Sequence, residues 1–203
     1  MYLPIKRVWF QNLMFDITEE VFEPSEDSFL FAENLDVPQG GNVLDLGTGC
    51  GILGILAAQK AKHVLAVDIN PYAICCAKQN AALNHVLGNM SFLRSDLLTA
   101  LTDVLFDLIL FNAPYLPSEQ HEIETWLGRA WAGGVTGRDV IDRFIPHVTA
   151  HLKLSGRVLL LQSSLTGLDL TIQKFRNYGL SAVVKAESKL PFFESIHLIE
   201  ASF

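Results

Sequence analysis

Positive charge and cysteine are both scarce in this 203-residue chain. Lys and Arg number 15 against 22 Asp and Glu, a formal net charge of −7. A general nucleic-acid binder needs a basic footprint, so that class is disfavoured, although a local patch can hide in an acidic total. The three cysteines, Cys50, Cys75 and Cys76, have no metal-ligand spacing. Adjacent Cys75 and Cys76 cannot close an ordinary disulfide without strain, so all three read as packing residues. The histidines (His63, His85, His121, His147, His151 and His197) show no ligand pattern, and no metal is expected. No apolar run approaches a membrane span. The start, Met1-Tyr-Leu-Pro-Ile-Lys-Arg7, lacks the order of a secretory signal. The expectation is a cytoplasmic protein that does not enter a membrane. Repeats and low-complexity segments are missing as well.

What is present is apolar. Half of the residues are hydrophobic and only 18% are charged, which suffices for a sizeable core in one α/β domain. Mean hydropathy is +0.29, which suits either a large core or a surface covered by a partner. Residues 5–22 alternate as a hairpin turning near Gln11-Asn12. Ser25 then reads as the N-cap of a helix running to about Leu35, with Glu26 and Asp27 in its first turn. Beyond Pro38-Gln-Gly-Gly41, strand and helix patterns alternate. Strands are expected at 42–47, 63–68, 90–94, 105–111, 157–162, 181–187 and 192–200. Helices are expected at 51–61, 71–85, 137–152 and 165–178, with Gly156 suited to a helix exit. Near-continuous Val/Leu/Ile runs predict a sheet covered on both faces. The expected architecture is α/β and Rossmann-like: seven mostly parallel strands, helices on both faces, a short hairpin in front. Residues 1–203 are expected to form a single domain, with a hairpin-and-helix lid over 1–36 and the core over 37–203.

Strand 42–47 ends in Val43-Leu-Asp-Leu46 and turns through Gly47, Gly49 and Gly51. Such glycines let backbone approach a ligand closely. Gly49-Cys-Gly51-Ile-Leu-Gly54 also fits the dinucleotide fingerprint, so a nicotinamide dehydrogenase must be weighed. Asp45 counts against it, because a carboxylate beside the turn opposes a diphosphate. A zwitterionic sulfonium ligand tolerates that acid, and the bland reading of Asp45 is a cap on nearby backbone N–H groups. Asp68 ends the next strand, where a carboxylate can accept both ribose hydroxyls. Ile69 would then face an adenine, and Asp96, before Leu97, could accept from its amino group.

Residues Asn112-Ala113-Pro114-Tyr115 follow the apolar run Leu105–Phe111. An amide nitrogen is a poor nucleophile because its lone pair is delocalised. The Asn112 side-chain oxygen and the Ala113 carbonyl could accept both N–H groups of a planar acceptor, with Tyr115 flanking it. A plain strand-to-loop turn is the competing reading.

These segments, with Phe22-Glu-Pro-Ser-Glu-Asp-Ser-Phe29, Asp68-Ile-Asn-Pro71 and the stretch from Ala130 to Phe144, carry a resemblance to HemK-type S-adenosylmethionine-dependent methyltransferases. The chain is most similar to the short archaeal and eukaryotic branch that methylates the glutamine of Gly-Gly-Gln in translation termination factors. The resemblance implies S-adenosylmethionine as cofactor, contacts from Ser28, Asp45, Gly47, Asp68, Asp96 and Asn112, and acceptor contacts from Asn112 through Tyr115. It also implies a small zinc-binding activator protein on an apolar sheet edge, for which Met90-Ser-Phe-Leu93 is the candidate. The family pattern is usually Asn-Pro-Pro-Tyr. Ala113 departs from it, but a backbone carbonyl can come from any residue, and Pro114 still holds Ala113 extended. Two alternatives stay open: an adenine or guanine amino-methyltransferase on RNA or DNA, and a non-catalytic cofactor-binding scaffold subunit. With the resemblance, residues 130–144 read as a substrate-side wall that orders the acceptor loop, with Trp131, Gly133 and Gly134 in a loop ahead of a helix carrying Arg138, Asp139, Asp142, Arg143 and Phe144. Without it, Arg138 and Asp142 read as an i,i+4 surface pair worth about 0.3–0.5 kcal/mol.

Overall fold

The computed structural model describes residues 4–190 and 194–203. Its first element is a two-stranded antiparallel hairpin, β1 (Lys6–Phe10) and β2 (Leu13–Ile17), turning at Gln11-Asn12 as the alternation predicts. Leu13, Phe15 and Ile17 bury one face of β2 against the core. α1 (Glu26–Glu33) follows, shorter than expected. Ser25 occupies its N-cap position without capping it; the hydroxyl donates instead to Asp27 Oδ1 at 2.7 Å.

The main sheet is built from β3 (Asn42–Leu46), β4 (His63–Asp68), β5 (Met90–Arg94), β6 (Phe106–Asn112), β7 (Leu152–Ser163), β8 (Ser181–Lys189) and β9 (Ser195–Ser202). Their spatial order is β5-β4-β3-β6-β7-β9-β8, and only β9 runs antiparallel to its neighbours. Strand order reverses between β3 and β6, so a crevice opens at their carboxyl ends. The glycine turn leaves one side of that crevice and the tetrapeptide leaves the other.

Helices cover both faces. α2 (Ile52–Ala58), α3 (Pro71–Leu83) and α1 pack with the hairpin on one side. α5 (Asp139–Val148) and α6 (Leu168–Asn177) close the other. β7 shows why its run is unbroken: Leu159 and Leu161 enter the first core, while Val158 and Leu160 enter the second. Each such buried side chain is worth roughly 1.5–3 kcal/mol.

Departures from the expected elements have local causes. A short helix, α4 (Trp126–Trp131), has no counterpart in the expected pattern; Thr125 caps it by accepting Gly128 N–H at 3.0 Å. α5 is shorter than the expected 137–152 and contains Pro146. Proline offers no N–H to the carbonyl four residues back. That carbonyl, on Asp142, accepts Lys174 Nζ at 3.0 Å instead. Gly156 lies inside β7 rather than at a helix exit, beside the register shift on β6 between Phe106 and Leu108. A Cβ there would come within 2.8 Å of the Phe106 carbonyl oxygen. Of the strand expected at 192–200, Phe192 and Phe193 lie outside the described residues.

One docking contact has no sequence signature. Asn80 and Asn84, one turn apart on α3, treat the outer edge of β2 as a strand would. Their Oδ1 atoms accept the N–H groups of Asp16 (2.8 Å) and Met14 (3.0 Å), and their Nδ2 atoms donate to the carbonyls of the same two residues. Asn80 Nδ2 also reaches the Cys50 carbonyl in the glycine turn at 2.9 Å.

Candidate active site

The crevice holds a cavity of about 530 Å³. Of the residues singled out from the sequence, Ser28, Asp45, Gly47, Gly49, Asp68, Ile69, Asp96, Leu97, Asn112 and Pro114 line it. Gly51, Ala113 and Tyr115 stand behind that lining. Gly51 takes φ 90° and starts α2 so close to α3 that a Cβ would lie 3.1 Å from the Ala77 Cβ. Ala113 is buried with the second core, and Tyr115 packs between the two cores.

The turn spends its backbone donors internally. Gly49 N–H donates to Asp68 Oδ2 at 2.9 Å, and Gly54 N–H donates to Asp45 Oδ2 at 2.9 Å. Thr48 Oγ1 donates to the same Asp45 oxygen at 2.5 Å. A Cβ on Gly54 would sit 2.6 Å from that oxygen, so glycine lets the helix close on the carboxylate. A dinucleotide site needs such N–H groups free for a pyrophosphate. Here two are committed to acids that would also repel one, which counts against the dehydrogenase reading. Both readings of Asp45 meet in the geometry: it caps backbone and lines the cavity.

Burial sets the charges of these acids. Asp45 is almost wholly buried, and desolvation pushes its carboxyl up to about 6, against the pull of Thr48 and Gly54. Burial likewise raises Asp68, although it accepts from Gly49, Ile69 and Asn70 N–H groups. Two carboxylates with raised pKa values lining one cavity form a niche that a cationic ligand would relieve. The donor set therefore fits a sulfonium carrying an ammonium group.

The sign of the resulting pH dependence is fixed. A raised Asp binds its proton in the folded state while the unfolded state has lost it. Stability from Asp45 is thus present below about 3.8 and lost as pH rises through about 6. Asp45→Asn keeps an oxygen for Thr48 and Gly54 but removes the charge. Without ligand, this variant is expected to match the parent in urea unfolding at pH 4 and to exceed it at pH 7 by on the order of 1–2 kcal/mol. An identical difference at both pH values would refute the assignment.

The acceptor side carries more than the sequence disclosed. Asn112 Nδ2 donates to Asp27 Oδ2 at 3.3 Å and to Ser28 Oγ at 3.4 Å. Its Oδ1 is buried and has no donor among the described residues. Tyr115 Oη donates to the same Asp27 oxygen at 3.1 Å, and burial, then that carboxylate, pushes the phenol pKa up. Asp27, read from sequence as a first-turn acid, is thus a hub between α1 and the tetrapeptide. Beyond Tyr115 the chain is strapped to residues 131–134: Leu116 N–H donates to the Trp131 carbonyl (2.9 Å), Gly133 N–H to the Leu116 carbonyl (2.8 Å), and Ser118 N–H to the Gly134 carbonyl (2.9 Å).

Arg138 is no surface pair; it is buried and donates to the carbonyls of Thr166 and Gly167, to Thr171 Oγ1, and to Asp142. It anchors the 133–138 wall to the start of α6. Arg143 Nη2 meets Asp96 Oδ2 at 2.6 Å on the cavity's rim. The Arg138–Asp142 pair is visible in its i,i+4 spacing, but the contacts of Arg138 with α6 and of Arg143 with Asp96 are not. Cys50 and Cys76 behave as packing residues, with thiols raised by burial and Cys76 Sγ donating to the Asp16 carbonyl, whereas Cys75 is exposed and does not pack as expected. No group of three metal-ligating side chains occurs among the described residues, and no described helix is long and apolar enough to cross a membrane.

Residues 23–128 match the methyltransferase small domain family. A Methanocaldococcus jannaschii protein, provisionally named protein N5-glutamine methyltransferase, is 45% identical over 186 residues, covering 91% of this chain and 93% of that one. Methyltransferase HEMK2 of Homo sapiens is 36% identical over 140 residues, 64% of this chain and 65% of its own. The E. cuniculi Mtq2–Trm112 structure, described as responsible for methylation of the eRF1 termination factor, superposes with a TM-score of 0.72. It covers 90% of this chain and 98% of its own at 23% identity, a likeness of fold. With its glycine turn, paired acids and Asn-x-Pro-Tyr corner on this sheet, the chain belongs to the HemK-type branch of the small-domain methyltransferases.

Proposed function

We propose that this chain methylates the side-chain amide nitrogen of a glutamine, using S-adenosylmethionine, and that the glutamine lies in the Gly-Gly-Gln motif of a class I translation termination factor. The observation that carries the reading is that the buried Asn112 Oδ1, at the end of β6, has no donor among the described residues. A buried acceptor without a donor costs about 1–3 kcal/mol unless a ligand supplies one. An incoming amide NH2 does so.

S-adenosylmethionine, when bound, supplies an electrophilic methyl on a sulfonium. Asp68 would hold the ribose, Asp96 and Leu97 would meet the adenine with Ile69, and Asp45, Gly47 and Ser28 would border the amino-acid end. Asn112 Oδ1 and the Ala113 carbonyl accept the two N–H groups of the acceptor. These bonds strengthen as the nitrogen gains positive charge, so they favour the transition state over the bound substrate. The corner also fixes the nitrogen's direction, which supplies rate through positioning. No side-chain base is required before transfer, because the alkylated nitrogen is acidic enough to release its proton afterwards.

A small activator protein, zinc-binding as the resemblance implies, would cover β5. Two features support this: β5 is an edge strand, and its Phe92 and Leu93 are only partly buried. A Lys- or Arg-poor chain supports a protein acceptor over a nucleic-acid one.

The test is mass spectrometry of a termination-factor Gly-Gly-Gln peptide after incubation with S-adenosylmethionine and the chain, with and without a co-purified activator. A gain of one methyl on the glutamine amide is expected. Methylation of an RNA or DNA adenine or guanine, with an untouched peptide, would overturn the reading in favour of the nucleic-acid alternative. Cofactor binding with no transfer to either would favour the scaffold.

A further inference from the structure

We propose that Asp27 sets the polarity of the acceptor corner: it forces Asn112 to present oxygen, not N–H, to the incoming amide. The inference rests on the function proposed above and adds a positioning residue to it. An asparagine carboxamide is nearly symmetric in shape, and a half-turn about its last bond exchanges donor for acceptor. Only its surroundings decide which end faces the substrate.

Here the surroundings are one-sided. Asp27 is pinned by donors: Ser28 N–H at 2.6 Å, Ser25 Oγ at 2.7 Å and Ser28 Oγ at 3.1 Å all reach Oδ1. Its Oδ2 is left to receive Asn112 Nδ2 and Tyr115 Oη. An ionised carboxylate accepts only. Turned over, Asn112 would set its own oxygen about 3.3 Å from Asp27 Oδ2, oxygen against oxygen. Asn112 Oδ1, which has no donor among the described residues, is the other half of the same arrangement. The same carboxylate oxygen also fixes Tyr115, so two members of the tetrapeptide take their orientation from a residue 85 and 88 positions earlier in the chain.

The experiment is an exchange of roles, read on the Gly-Gly-Gln peptide with whatever preparation methylates it. Asp27→Asn offers Asn112 a donor as readily as an acceptor; kcat is expected to fall roughly 10–100-fold, with KM for the peptide and Kd for cofactor within about threefold. Asn112→Asp alone sets two carboxylates face to face and is expected to lose at least as much. The double variant combines Asp27→Asn with Asn112→Asp. Its amide at position 27 donates to one oxygen of the carboxylate at position 112 and leaves the other as acceptor. In it kcat is expected to recover at least about tenfold over either single change. Thermal unfolding of each variant separates a folding loss from a polarity loss, because a merely structural Asp27 gains nothing from the second substitution. Wild-type kcat in Asp27→Asn, or a double variant no better than the worse single one, overturns the inference. A parent protein that leaves the peptide unmethylated overturns the function instead.

Discussion

Asn112→Ala is expected to lower kcat by roughly 10²–10³-fold, the scale of losing one preorganised polar contact to the reacting group. The reason is geometric. The side-chain oxygen is buried and has no donor among the described residues, and the amide nitrogen is held by two partners, so little reorganisation is left for the moment of reaction. Alanine removes the acceptor and leaves the Ala113 carbonyl alone to orient the NH2 group. The loss falls on kcat because the bonds tighten only as charge develops. Calorimetric Kd for S-adenosylmethionine is expected to stay within a few-fold, since the adenosine end of the cavity is untouched. Single-turnover rates on the peptide separate the two effects. Turnover near that of the parent would mean that the acceptor is held elsewhere.

The second large effect is expected at Asp68→Ala, and in the opposite parameter. Asp68 Oδ1 accepts Asn70 N–H at 2.9 Å and Oδ2 accepts Gly49 N–H at 2.9 Å, so one side chain shapes both the helix start and the glycine turn. Each hydrogen bond to a charged group is worth about 1.5–3 kcal/mol. Loss of the ribose contact with partial loosening of the turn should weaken cofactor binding about 100-fold. Saturating S-adenosylmethionine should restore most of kcat, because Asn112 and Tyr115 are held from α1 rather than from Asp68. An unchanged titration with the cofactor would remove Asp68 from the site.

Much of this architecture is legible in the chain because period and punctuation are local. The β3 and β6 strands carry Val, Leu, Ile and Phe on both faces, the mark of strands covered twice, and both end where a glycine turn or a proline corner begins. The ends of elements are less legible. Pro146 sits within α5 because the Asp142 carbonyl found Lys174, a partner 32 residues away that no window could reveal. Arg138 is illegible for the same reason. Its spacing to Asp142 is that of a common surface pair, while its burial depends on carbonyls at the start of α6. The candidate site divides likewise. Residues that act through their own backbone position, such as Gly47, Asp68 and Asn112, stand at strand ends and can be read there. Asp27 and Arg143 act through side chains that cross the crevice, and the fold alone brings them to it.

Asn80 ties the hairpin to the glycine turn through one side chain, beside the apolar packing of Leu13, Phe15 and Ile17 against the same core. The same carboxamide holds Asp16 on the hairpin and the Cys50 carbonyl in the glycine turn. Occupancy at the turn is expected to steady the hairpin through this side chain, and a steadied hairpin to raise affinity at the turn by the same factor, since linkage between sites is reciprocal. Amide exchange at Met14 and Asp16, whose N–H groups point into α3, would slow on saturation with S-adenosylmethionine, although neither residue touches the cavity. A chain shortened by its first seventeen residues would keep every group that lines the cavity and still bind the cofactor more weakly.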